Sequence, residues 1–161
     1  MSSDLVAYDE DRQMVTEQAT EFATFSVAGQ LLGINVLDVQ DVLNPMKIAT
    51  VPLAGNEVAG LLNLRGRIVT AIDMRQKLGL DAFEDRSKCL SIVVEKDQEL
   101  YSLIVDKVGD VINIPNSKFE HNPPNLKPAW ADISSGVYRL EGKIMLVIDI
   151  DNLLSYASPS F

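Results

Sequence analysis

The sequence predicts a mainly β fold of two related subdomains, each a small curled sheet or barrel, with a few short helices between strands. Three observations carry that expectation. Strand-forming residues arrive in short runs. Several neighbouring runs meet at glycine-tipped turns, because glycine accepts the positive φ that a tight hairpin needs. Two segments then recur in the same order along the chain, the mark of an internal repeat.

Residues 1–19 are acidic and polar, with few strand formers beyond Leu5, Val6 and Val15, and read as a tail, either disordered or in part a frayed helix. Order begins near Glu21. Residues 22–27 form a strand, and 31–36 a second after the Ala28-Gly29-Gln30 turn. Val36, Val39, Val42 and Leu43 recur at helical spacing, so a short helix is expected over 37–43. Asn44-Pro45 stops it, because proline cannot donate the next helical hydrogen bond. A short strand over 48–51 ends at Pro52. Strands 58–64 and 67–72 meet at Arg65-Gly66. Asp73 reads as the N-cap of a helix over 74–78 that Gly79 ends. Strands 88–95 and 100–105 flank Lys96-Asp97-Gln98, and 108–114 is a further strand. Residues 115–130 hold Pro115, Pro123, Pro124 and Pro128 and form a stiff, irregular connection. The last hairpin joins 133–140 to 143–148 at Glu141-Gly142. Asp149 or Asp151 caps a final helix carrying Leu153 and Leu154.

The repeat pairs Val36-x-x-Val39-x-Asp41-Val42 with Val105-x-x-Val108-x-Asp110-Val111. It also pairs Leu64-Arg65-Gly66-Arg67-Ile68, running to Ile72-Asp73, with Leu140-Glu141-Gly142-Lys143-Ile144, running to Ile148-Asp149. Two matches in register, at similar offsets, imply β-subdomains over about residues 20–85 and 86–150. A C-terminal helix completes a domain over 20–157, and 158–161 form a tail. Curling would close sheet edges that otherwise pair indiscriminately.

Composition narrows the function. With 47% hydrophobic and 23% charged residues, the 161-residue chain can build a packed core and is not globally disordered. Net charge is −9, much of it at the start, where Asp4, Asp9, Glu10, Asp11, Glu17 and Glu21 face only Arg12. An acidic chain repels phosphate backbones and anionic lipid headgroups, so neither nucleic-acid binding nor a membrane-surface role is expected. No apolar run approaches transmembrane length, so no membrane insertion is expected. Cys89 is the single cysteine, which forbids an intrachain disulfide and fits a reducing cytoplasm. Within the 88–95 strand it reads as a small buried thiol.

Reactive constellations are thin. His121 is the only histidine, inside the proline-rich connection, and nothing near it resembles a nucleophile elbow. One histidine and one cysteine are too few for a transition-metal site. Asp149-x-Asp151-Asn152 opens like a calcium loop but lacks its glycine and closing glutamate, so helix capping is preferred. The 55–60 stretch lacks the lysine and hydroxyl of a phosphate loop. No catalytic, cofactor or metal residue is assigned. A small enzyme, tested by His121→Ala in a substrate screen, and a ligand-binding barrel, tested by native mass spectrometry, are the rivals of a surface-binding role. Arg65, at a hairpin tip, reads either as a solvated turn residue or as a guanidinium held for a carboxylate partner, with Asp41 as an intramolecular acceptor. Val36, Val39, Val42 and Leu43 read as core, some of them lining a groove.

The stretch from Val58 through Asn63-Leu64-Arg65-Gly66, Ile68-Val69, Ile72-Asp73 and Met74-Arg75 to Leu80 resembles the signature of CheW-type chemotaxis coupling domains. Upstream, Phe25 to Val42, including Gly33-Ile34 and Val39-Gln40-Asp41-Val42, is similar to that family's opening hairpin and its V-x-(D/E)-(I/V) helix. Gly142 to Asp149 and Leu153-Leu154 extend the likeness, which runs from about residue 21 to 154. Thr70 stands where many members have proline, and Asn44-Pro45 closes the first helix abruptly. The resemblance implies two packed, five-stranded, SH3-like β-barrels. It implies a non-catalytic scaffold without cofactor, bridging chemoreceptor cytoplasmic hairpin tips to the regulatory domain of a CheA-type histidine kinase in arrays beneath the inner membrane. It implies receptor contact at Val36, Val39, Asp41, Val42, Asn63, Leu64, Arg65 and Gly66, with Ile68 and Val69 beside them.

Overall fold

A computed structural model describes residues 18–50 and 58–155. These form β1 (Ala19–Val27), β2 (Gln30–Asn35), a 3-10 turn (Val36–Asp38), β3 (Val39–Leu43), β4 (Val58–Leu64), β5 (Arg67–Asp73) and α1 (Met74–Lys77). There follow β6 (Ser91–Lys96), β7 (Glu99–Ile104), β8 (Lys107–Pro115), β9 (Phe119–Glu120), α2 (Pro128–Ile133), β10 (Ser134–Leu140), β11 (Lys143–Ile148) and α3 (Ile150–Leu154). The expected 1–19 tail, save its last two residues, lies outside the described residues, as do Val51 of the expected 48–51 strand and the 158–161 tail.

The strands pair into a six-stranded sheet, ordered β8-β1-β2-β11-β10-β9, and a five-stranded sheet, ordered β3-β6-β7-β5-β4. The mainly β, two-unit architecture is the expected one, and the sixth strand is the two-residue β9. The assignment of chain to sheet differs. Each sheet takes one hairpin from one repeat copy and its remaining repeat strands from the other: β1–β2 lies with β8, β10 and β11, and β6–β7 lies with β3, β4 and β5. No boundary near residue 85 separates the sheets. After β2, and again after β7, the V-x-x-V-x-D-V segment crosses to the edge of the opposite sheet. There β3 pairs antiparallel with β6, and β8 with β1. Parallel pairs β5–β7 and β11–β2 complete the exchange.

The helix expected over 37–43 is instead a 3-10 turn followed by a bulged strand. In β3 the register jumps between Val39 and Asp41, so Val39 opposes Val94 and Val42 opposes Ile92. The extra residue puts Val39 and Val42 on one face at a spacing of three, which imitates a helical stripe. In β8 the same spacing puts Val108 opposite Phe25 and Val111 opposite Ala23. Both copies of the motif therefore encode a bulged edge strand, a shape that discourages stray edge pairing.

Alternation along the strands fills three cores. Leu43, Leu62, Val69, Ala71, Val93, Leu100 and Ile104 face the inside of the five-stranded sheet. Phe22, Ile114, Tyr138 and Met145 do so in the six-stranded sheet. Between the sheets, Phe25, Val27, Leu32 and Ile34 meet Ile72, Ile92, Val94 and Leu103, with Met74, Ile133, Leu153 and Leu154 from the helices. Inner cores require curled sheets, and two links draw the edges together. The Asn116–Lys118 turn carries the chain from β8 at one edge to β9 at the other, a reach of no more than about 14 Å from Pro115 to Phe119. In the other sheet, Arg65 at the β4–β5 tip bonds Asp41 on β3, opposite edges in the pairing order.

Local differences have local causes. The 115–130 connection contains β9 and the start of α2, for which Pro128 supplies a first-turn residue with φ already set. Of the expected 48–51 strand, Ala49 makes a single bridge with Leu61. Cys89 lies before β6 and is half-buried, its thiol pKa pushed up mainly by burial. Asp149 caps α3 by accepting from the Asn152 N–H.

Asp106 ties the two sheets together at the second crossover. It receives Arg75 Nε and Nη2 at 2.9 and 2.7 Å, and the Ala28 N–H at 2.7 Å. Burial alone would raise its pKa, but the Arg75 hydrogen bonds, the Ala28 N–H and the Arg75 and Lys107 charges outweigh it and hold the carboxyl below its ordinary value. Asp106→Asn is expected to cost about 2 kcal/mol at neutral pH. A depressed folded pKa contributes stability that is full above the unfolded pKa and lost as pH falls through the folded one. Thermal unfolding of the two proteins should therefore converge in acid.

Ser102 Oγ, on the inner face of β7, is buried with no hydrogen-bond partner. Ser102→Ala is expected to stabilise the protein by about 1 kcal/mol in urea unfolding, because an unpaired buried hydroxyl has lost its water without compensation.

Candidate functional site

Arg65 and Gly66 form the two-residue turn between β4 and β5, at φ 51° and 85°, the left-handed geometry that fits the twist of a hairpin. The Gly66 N–H donates to Asn63 Oδ1 at 3.0 Å. Arg65 Nη1 donates to Asp41 Oδ2 at 3.0 Å. The arginine side chain is 76% exposed even while paired. Asp41 Oδ1 also accepts the Val42 N–H. The Arg65 hydrogen bond, then the Val42 N–H, hold the Asp41 carboxyl below its ordinary pKa, with burial opposing and the Arg65 charge assisting. The acceptor foreseen for Arg65 is thus the one it has.

The other expected site residues divide by face. Ile68 is 63% exposed and Val42 45%. Asn63 and Gly66 are exposed at the turn, while Val36 and Val39 are half-buried. Leu64 is half-buried against the inner core of the five-stranded sheet. Val69 is fully buried in that core, 0% exposed, so its expected place on a contact surface is wrong. Adjacent strand residues point to opposite faces, and exposure of Ile68 obliges Val69 to face inward. Leu37, not singled out from the sequence, is 84% exposed in the 3-10 turn before β3. Its signal was its place between the two valines of V-x-x-V, where a turn, not a strand, projects it. Val111, the repeat counterpart of Val42, is also exposed. His121 is exposed, and no group of His, Cys, Asp or Glu among the described residues could hold a metal.

Two sheets, each curled over its own small core, packed on a third core and carrying a braced arginine tip define a twin-sheet β-module with its candidate machinery on the surface. A family model of the CheW-like domain matches residues 21–158, and the chain belongs to this family. The chain is 27% identical over 134 residues to the chemotaxis protein CheW of Thermotoga maritima, covering 83% of this chain and 87% of that one. It is 27% identical over 117 residues to protein PilI of Pseudomonas aeruginosa, covering 73% and 66%. Its structure is similar to that of the scaffolding protein TtCheW from Thermoanaerobacter tengcongensis, with a TM-score of 0.78, 26% identity, and coverage of 89% and 98%.

Proposed function

We propose that the chain is a non-catalytic adaptor of chemosensory signalling that couples chemoreceptor cytoplasmic hairpin tips to the regulatory domain of a CheA-type histidine kinase. The observation that carries the reading is the braced, solvent-facing Arg65, paired with Asp41 and sharing a module with the exposed Val42 and Ile68. An amphipathic helical hairpin needs such a surface: apolar contact for affinity and one charged group for orientation. Leu37 joins Val36, Val39, Asp41, Val42, Asn63, Leu64, Arg65, Gly66 and Ile68 in this contact set, and Val69 leaves it. The kinase would dock through other exposed barrel ends. Control arises from which partners are held together and in what geometry, so no chemistry need occur on the chain.

No helix among the described residues is long and apolar enough to cross a membrane, and the adaptor would reach membrane-associated arrays from the cytoplasm through its receptor partner. Mixing the purified full chain with a CheA-type kinase and a receptor cytoplasmic hairpin fragment tests the reading. A ternary complex that changes kinase output is expected. A chain that binds neither component, or binds both without changing kinase output, would refute it.

A further inference from the structure

We infer that Asn63 is a positioning residue: by accepting the Gly66 amide proton it fixes the turn that holds the Arg65 guanidinium against Asp41, and its weight in docking passes through Arg65. Arg65 is a non-glycine residue at φ 51°, a region where its Cβ crowds the following carbonyl, so the turn gains by relaxing unless something restrains it. Beyond the β4–β5 ladder, which closes on the Leu64–Arg67 pair, the restraint on the turn itself is the 3.0 Å bond from the Gly66 N–H to Asn63 Oδ1.

The chain carries its own comparisons. Ala28-Gly29, the other glycine-tipped hairpin turn with a left-handed first residue, is also tied by a side-chain oxygen, with the Ala28 N–H bonded to Asp106 Oδ2 at 2.7 Å. In the repeat-equivalent turn Glu141-Gly142, Arg139 stands at the position of Asn63 and turns away to Glu120 at 3.0 Å. There only the glycine takes a positive φ. In the glycine-tipped hairpins, a left-handed first residue and a side-chain acceptor occur together, whereas the glycine-free Asp97-Gln98 turn holds both residues left-handed, at φ 52° and 68°. What Asn63 holds is consequential, because the Arg65–Asp41 bond joins strands at opposite ends of the pairing order.

The Asp41 carboxyl reports the position of Arg65 without any partner. Its titration, followed by NMR in the full chain, is expected below the ordinary carboxylate range in the native protein and higher in Arg65→Gln. Asn63→Ala should move it upward most of the way to the Arg65→Gln value, with the thermal midpoint lowered by no more than about 3 °C. Asn63→Ser should move it less, since a hydroxyl can make the same turn bond more weakly. If Asp41 titrates identically in Asn63→Ala and the native chain, the positioning role is overturned.

A second arm rests on the docking reading above. Asn63→Ala should weaken binding of a chemoreceptor cytoplasmic hairpin fragment about tenfold. The double variant Asn63→Ala/Arg65→Ala should bind no more weakly than Arg65→Ala alone, because both act through one group. Losses that multiply would mean Asn63 meets the partner directly and would also overturn the inference. A native chain that does not bind the fragment condemns the docking reading, and the titration still decides the role of Asn63.

Discussion

Arg65→Glu is expected to weaken binding of a receptor hairpin fragment by more than tenfold and to abolish most receptor-dependent kinase control, while the thermal midpoint moves by no more than about 3 °C. The small stability effect follows from exposure. An ion pair with one partner 76% exposed is screened by water and salt and adds little to folding. The large binding effect follows from geometry. Reversal places a carboxylate beside Asp41, so the tip is repelled from the strand it now bonds, and a partner carboxylate meets the wrong sign. Arg65→Lys should fall between, because an ammonium keeps the charge but not the planar fork. The native affinity should decline with ionic strength more steeply than that of Arg65→Glu. A folded Arg65→Glu protein that binds and couples at full strength would remove Arg65 from the mechanism.

What could be read in the residues, and what could not, divides along a physical line. The strands, the turns at Arg65-Gly66 and Glu141-Gly142, and the caps at Asp73 and Asp149 are local, and local pattern gives them. The Arg65–Asp41 pair was expected from two residues in the same half of the chain, and it forms although Asp41 lies on a bulged strand and not on the expected helix. The bulge in β3 was not legible, because a spacing of three valines fits a helix turn and a bulged strand equally well. The second copy held the correction: 108–114 reads as a strand, and the same motif cannot be a helix in one copy and a strand in the other. The exchange of strands between sheets has no local signature at all. Sequence pattern says which residues extend, while pairing is decided by faces buried far along the chain. Val69 was misplaced for a simpler reason, since strand alternation forbids it from sharing a surface with Ile68.

Asp73→Ala is expected to have the largest stability effect, a loss of about 3–5 kcal/mol in urea unfolding with little change in slope. The Asp73 side chain is 0% exposed. One oxygen caps α1 through the Gln76 N–H at 3.0 Å, and the other accepts the Phe83 N–H at 3.2 Å and Arg86 Nε at 2.8 Å. Its removal takes away a cap and leaves a partly buried guanidinium without its counter-charge. The damage should spread, because Phe83 lies under Arg75, 5.2 Å from its guanidinium carbon, and Arg75 holds Asp106 at the crossover between sheets. The repeat supplies the control. Asp149 caps α3 at the equivalent place through the Asn152 N–H and is half-buried. Asp149→Ala should therefore cost only about 1 kcal/mol, the ordinary value of a cap. Asp73→Asn, which keeps the cap oxygen but not the charge, should lie between them. Equal losses for Asp73→Ala and Asp149→Ala would show that the buried ion pair adds nothing beyond capping, and that the 79–88 loop is held by its packing alone.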